Sequence, residues 1–202
     1  MRDLGAELGR AVADGNQMSR AATGSFVARA DASGLVDVAY STHESPFGPL
    51  LLAASRHGLV RLAYPDERVG VVLDALAERV SPRLLHVPGR LDEARRQLDD
   101  YFEGRRTDFS LAVDLRLVSP FGRRVLTRTR AIAYGATASY REVAAGSGNP
   151  RAVRATGTAL GRNPVPIVVP CHRVVRSSGD LGGYTGGLER KRKLLELEGV
   201  LG

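Results

Sequence analysis

The chain has 202 residues, room for one ordinary domain or two small ones packed together. With 43% hydrophobic and 25% charged residues it has globular usage, which excludes a disordered tail or a fibre. No apolar run reaches the roughly 18 residues of a membrane span, MRDLGAELGRAVADG lacks a secretory apolar core, and one cysteine excludes a disulfide framework or a multi-cysteine zinc site. A cytoplasmic protein without a membrane partner is expected.

The net charge of +7 is unevenly divided. Residues 1–115 hold 14 Arg and 17 acids, a net of −3, whereas residues 116–202 hold 13 Arg, 2 Lys and 5 acids, a net of +10. The basic part suits a polyanion, with a basic but idle surface as the alternative. The ratio of 27 Arg to 2 Lys also points to genomic base composition as a source of the bias.

In residues 1–35, Leu4, Leu8 and Val12 share one helical face; a short helix and a mobile extension ending near Gly34 are both open readings. From Leu35, LVDVAYST, GPLLLAAS and HGLVRLAY read as three strands, the last two joined at Arg56-His57-Gly58 as a hairpin. ERVGVVLDALAERV has helical spacing and stops at Ser81-Pro82, and LDEARRQLDDYFEGRR makes a second helix closed by Gly104. TDFSLAVDLRL reads as extended. The expectation for 36–115 is a small α/β unit, a helix on one face of the strands, with nothing catalytic in it.

Ser119-Pro120 opens a helix running to Gly135, and Ser139 with Glu142 forms a capping box for SYREVAA. Asn149-Pro150 is read as the start of a further helix closing at Gly161. A short helix, a glycine-containing turn and an Arg-rich helix make a helix-turn-helix pattern, which many structural helix pairs share. Cys171 follows the apolar run Val165–Val169 and precedes His172. Such a cysteine is often inert core, but the neighbouring imidazole and Arg173 are expected to lower its pKa and make it a nucleophile. GGYTGG lacks a P-loop ending and reads as a mobile loop or as backbone approaching a flat ligand. In the last helix Leu188, Leu194, Leu195 and Leu197 are expected to pack inward; Glu198 is either a surface charge or points toward Cys171.

PCHRVV closely resembles the active-site motif of the O6-alkylguanine-DNA alkyltransferases, the methylated-DNA–protein-cysteine methyltransferases. The resemblance continues from SYREVAAGSGNPRAVRATGTALGRNP through GGYTGGLERKRKLLELEG, and SPFGPLLLAASRHGLVRLAY is similar to the family's N-terminal strand pair. It covers roughly residues 36–202. It implies an α+β protein: a small N-terminal RNase H-like domain (36–115) of antiparallel strands plus helix, and a mostly helical, winged helix-turn-helix-like C-terminal domain (116–202), after an extension (1–35).

The resemblance further implies that Cys171 is the acceptor thiol and that His172 holds a water which takes its proton. Glu198 would orient His172, and Asn163 would brace the turn into an active-site strand. Tyr140 would reach the guanine ring, the carbonyls of Cys171 and Val174 its exocyclic amine, and Tyr184 and Thr185 would wall the pocket. Arg154 would fill the stack left by a flipped nucleotide. Arg141, Asn149, Arg151 and Ser177 would contact phosphates, while Ala152, Ala155 and Gly157 would let the helix approach a narrow minor groove. The implied partner is double-stranded DNA carrying O6-alkylguanine, with O4-alkylthymine and cooperativity on DNA open. The protein would be a monomer without cofactor or metal, acting once. Two other classes compete: a lesion-binding relative without transfer, against which Cys171 argues, and a cysteine hydrolase using His43, His57 or His86, which leaves the basic helix pair unexplained.

Overall fold

The computed structural model describes residues 24–201, so the stripe Leu4, Leu8 and Val12 lies outside the described residues. Residues 24–32 form helix α1. It ends at Gly34, whose φ of 68° places it in the left-handed region, and the Leu35 N–H returns to the Ala30 carbonyl at 2.9 Å.

Three strands follow as read, with tighter bounds: β1 Val38–His43, β2 Leu50–Ser55 and β3 Gly58–Ala63. β1 pairs antiparallel with β2 and β2 with β3, the latter through a register shift between Ala53 and Ala54. A fourth short strand was not anticipated. β4 (Leu84–His86) lies parallel to β1, giving the order β3-β2-β1-β4. Only three residues long, β4 has too short a pattern to stand out from the loop around it.

The alternation along β2 explains the layers. Leu51 and Ala53 face Val72 and Leu76 of helix α2 (Val69–Arg79), while Leu50 and Leu52 face Leu98 and Tyr101 of helix α3 (Asp92–Phe102) and the C-terminal domain. The sheet is therefore covered on both faces, not one, which is why β2 is apolar from Leu50 to Ala54. The segment after α3 forms a strap along β3: the Leu59 N–H donates to Ala112 O and the Asp114 N–H to Leu59 O, both at 2.9 Å. Gly58 is needed beneath it, because a Cβ there would collide with the Ala112 carbonyl.

Helix α4 (Pro120–Arg130) has Ser119 as N-cap, its hydroxyl accepting from the Gly122 N–H at 3.1 Å. It stops five residues short of Gly135, and Ile132 turns inward to the core. After a two-residue strand β5 (Ala138–Ser139), helix α5 (Tyr140–Gly146) carries the expected Ser139–Glu142 capping box. Helix α6 (Val153–Gly161) starts three residues later than the Asn149-Pro150 reading. Asn149 makes a turn instead, its carbonyl accepting from the Ala152 N–H at 3.0 Å. β6 (Val174–Val175) pairs parallel with β5, and helix α7 (Leu188–Leu197) closes the chain. Leu194 and Leu195 are fully buried and Leu197 packs on the core, but Leu188, at the first position of α7, is 55% exposed rather than inward.

Candidate active site

The chain reaches Cys171 through an irregular turn, not a strand. Pro164, Pro166 and Pro170 each lack an N–H and fix φ, so 164–170 cannot build a ladder. Ile167 sits at φ 73°, the one non-glycine residue with positive φ among those described, and its branched Cβ makes that conformation strained. Buried Asn163 holds this turn from inside. Its Oδ1 accepts from the Val165 N–H at 3.0 Å, and its Nδ2 donates to Val169 O at 2.8 Å and approaches Cys171 Sγ at 3.1 Å. Asn163 thus touches the thiol as well as bracing the turn.

Cys171, His172 and Arg173 form one 3-10 turn at the centre of the molecule. Glu198 resolves to the inward reading: at the end of α7 it is buried, and Oε1 lies 2.9 Å from His172 Nε2. The same oxygen accepts from Tyr101 Oη at 2.7 Å and from Arg173 at 2.8 Å, and Oε2 accepts from Arg173 Nε at 2.8 Å. Burial alone would raise the Glu198 pKa; the hydrogen bonds from His172 and Arg173 outweigh it and hold the carboxyl down at about 2. Burial keeps the His172 imidazole neutral by lowering its pKa, and its Nδ1 is buried with no protein partner. With Nε2–H directed at an ionised carboxylate, Nδ1 is left as a proton acceptor.

Two expectations about charge are corrected. Arg173 does not activate the thiol: its guanidinium is committed to Glu198 and to the Ile132 carbonyl at 2.6 Å. The thiol pKa is not lowered either; burial pushes it up to about 11, against opposing contributions from Asn163 and Lys191. Lys191 went unnoticed in the basic run LERKRK. It is fully buried, and its three ammonium protons have three carbonyl partners, Val174 at 2.5 Å, Gly183 at 3.2 Å and Leu181. Burial brings it down to about 8, so it remains largely cationic near neutral pH.

Cys171 opens onto a cavity of about 380 Å³ lined by Tyr140, Gly157, Leu160, Gly183, Tyr184 and Thr185 among others. A larger groove of about 730 Å³ between α2 and α6 has neither the thiol nor the relay in its lining. The Tyr140 hydroxyl donates to Gly183 O at 3.2 Å and Thr185 Oγ1 to Leu160 O at 3.0 Å. Val174 does not line this cavity, and its carbonyl already accepts from Lys191. The glycines of GGYTGG approach flat groups of the protein itself: a Cβ on Gly186 would strike the rings of Tyr64 and Tyr184, and one on Gly182 would meet Tyr140 at 2.9 Å. Tyr64 and Tyr101 belong to the N-terminal domain, which therefore does contribute to the site; their period and burial look like ordinary core in the sequence.

Arg141, Asn149, Arg151, Arg154, Ala155 and Ser177 are exposed, and Ala152 is half-buried. Gly157 lines the cavity, where a Cβ would meet the Tyr140 ring at 3.8 Å. Many N-terminal arginines are neutralised by carboxylates, as in Arg83–Asp37, Arg90–Asp31 and Arg96–Glu93. Arg151 and Arg154, beside and on α6, form no ion pair among the described residues, so their field is directed outward.

Two family models match the chain: the ribonuclease-like domain of 6-O-methylguanine DNA methyltransferase over residues 38–115, and the DNA binding domain of the same protein over 120–200. The methylated-DNA–protein-cysteine methyltransferase of Mycobacterium bovis is 44% identical over 162 residues, 79% of this chain and 91% of its own length. That of Methanosarcina barkeri is 40% identical over 79% of this chain and 96% of its own length. The crystal structure of the Mycobacterium tuberculosis protein in complex with DNA superposes with a TM-score of 0.69 at 42% identity, covering 79% of this chain and 92% of that one. On this evidence the chain belongs to the methylated-DNA–protein-cysteine methyltransferase family.

Proposed function

We propose that this protein repairs DNA by moving the alkyl group of O6-alkylguanine onto Cys171. The observation that carries the reading is a buried thiol lining a cavity and, next to it in the same 3-10 turn, an imidazole whose free Nδ1 is an acceptor and whose other nitrogen is fixed by an ionised carboxylate. The duplex binds by the exposed face of α6, and the damaged nucleotide leaves the stack to enter the cavity, with Arg154 taking its place. The thiol proton passes to His172 through a water, the sulfur electron pair forms the S–C bond, and the C–O6 pair departs with guanine. Guanine gains a proton, assisted at its ring by the Tyr140 hydroxyl, so the net change moves one proton from sulfur to the base. The thioether has no hydrolytic exit, so each molecule acts once, as a monomer.

The test is intact-mass measurement after incubation with a duplex containing O6-methylguanine. One equivalent should add one CH2 unit, carried by the Cys171 peptide, and a second equivalent should remain unrepaired. Cys171→Ser should bind the duplex and accept nothing. Methyl on another residue, or repeated turnover, would overturn the assignment.

A further inference from the structure

The transfer reading does not explain why a tyrosine of the N-terminal sheet is buried against the substrate cavity. Tyr64 follows directly on β3, and its hydroxyl pairs with that of Tyr184 at 2.7 Å. Tyr184 lines the cavity together with Cys171. The two rings meet edge-on at 6.3 Å, and Tyr184 meets the His172 ring edge-on at the same distance. Tyr64 is fixed in turn from several sides. Its N–H donates to Glu67 Oε1 at 3.1 Å, and the Arg190 guanidinium lies 4.5 Å over its ring while pairing with Asp66 at 2.8 Å. Gly186 abuts the ring at Cε2 and Cδ2, and its carbonyl accepts from Arg190 at 3.0 Å.

A wall held in this way resists being pushed outward. An alkyl group too large for the present cavity has to displace Tyr184, which breaks the hydroxyl pair and leaves the hydroxyl of buried Tyr64 without its partner. A methyl group needs no such displacement, so the penalty falls on bulk alone. We propose that Tyr64, through its hydrogen bond to Tyr184, sets the upper size of the alkyl group accepted at Cys171; this rests on the transfer reading above. Tyr64 touches no reacting atom and is a positioning residue, and through it the N-terminal domain fixes specificity at a site otherwise built by the C-terminal one.

Wild type and Tyr64→Phe are each given an equimolar mixture of two duplexes of one sequence, carrying O6-methylguanine or O6-benzylguanine. Methylated and benzylated protein are then counted by intact mass. Phenylalanine keeps the ring and the Arg190 contact and removes the bond alone. The benzyl-to-methyl ratio is expected to rise at least about tenfold, about 1.4 kcal/mol of differential barrier. Tyr184→Phe deletes the same bond from the other side; it should shift the ratio in the same direction, and the double variant should shift it no further than either single one. That second variant also decides the matter should Tyr64→Phe melt too low to assay. An unchanged ratio, equal slowing on both substrates, or additive shifts overturn the role of Tyr64. A wild type that accepts neither group overturns the transfer reading itself, and this inference with it.

Discussion

Replacing Glu198 by glutamine removes one charge and almost no volume, and the geometry around it gives the expected size of the effect. Glu198 Oε1 accepts from Tyr101, His172 and Arg173, and Oε2 from Arg173 Nε. An amide offers one oxygen, so its NH2 must face a donor whichever way it turns, and the Arg173 guanidinium, 5% exposed, loses its counter-charge. Breaking a buried pair from one side costs about 3–5 kcal/mol. Proton linkage gives a similar figure: a carboxyl held at about 2 against an ordinary value near 4.5 contributes about 3 kcal/mol. Because the folded value is the lower one, that contribution is complete above pH 4.5 and is lost as the pH falls through 2. Urea denaturation of wild type and Glu198→Gln across this range should show a gap that closes toward acid. Alkyl transfer at neutral pH should slow by at least about tenfold, since His172 loses the partner that holds its Nδ1 as acceptor. A variant as stable as wild type, with a gap independent of pH, would refute the charge-pair account, and an unchanged transfer rate would refute the relay.

Three further outcomes follow from neighbouring geometry. Tyr101→Phe removes one of four donors to Glu198 and leaves the charge pair, so it should lower stability by about 1 kcal/mol and slow transfer less than Glu198→Gln, both read in the same assays. Lys191→Met strips the donors from three carbonyls and removes a cation that is still largely charged near neutral pH and favours the thiolate there; native labelling of Cys171 at neutral pH should be slower than in wild type, whereas an equal or faster rate would exclude Lys191 from thiol electrostatics. Arg154→Ala should slow repair of duplex at least about tenfold, about 1.4 kcal/mol, while reaction with free O6-benzylguanine base stays near the wild-type rate; equal slowing on both would assign Arg154 to the fold rather than to nucleotide replacement.

What was legible in the sequence follows the range over which each force acts. Local signals were readable: the Ser139–Glu142 capping box, Ser119-Pro120, the β2–β3 hairpin and the adjacency of Cys171 to His172 all depend on residues within a few positions. The length of α4, the start of α6 and the path of 164–170 were misread because tertiary contacts override propensity there. Asn149 has the side chain of an N-cap, yet its carbonyl closes a turn; Val165–Val169 has the composition of a strand, yet three prolines and Ile167 at positive φ make it a loop. The site's long-range parts could not be seen at all. Tyr101 reaches Glu198 from 97 positions away and Tyr64 reaches Tyr184 from 120, and each reads in sequence as an apolar residue at a core position. Lys191 hides in a basic helix because a charge buried by tertiary packing looks in sequence like a charge in solvent.

The misjudged thiol pKa bears on how a protein that acts once, as proposed above, would keep itself usable. Sequence adjacency suggested a thiolate prepared by His172 and Arg173, but a standing thiolate would react with any stray electrophile and consume the molecule. With burial holding the thiol pKa well above its ordinary value, the anion is scarce at neutral pH. Arg173, tied to Glu198 and Ile132, supplies no help at rest. On the proposed reading, proton removal falls to His172, whose neutral state is itself maintained by burial and whose orientation is fixed through Glu198. Activation then depends on a base with free Nδ1, a turn braced by Asn163, and an electrophile seated in the cavity at the same moment. On that reading reactivity is confined to the assembled complex, and the domain contacts that fix Glu198 and Tyr184 would serve that confinement as much as they serve stability.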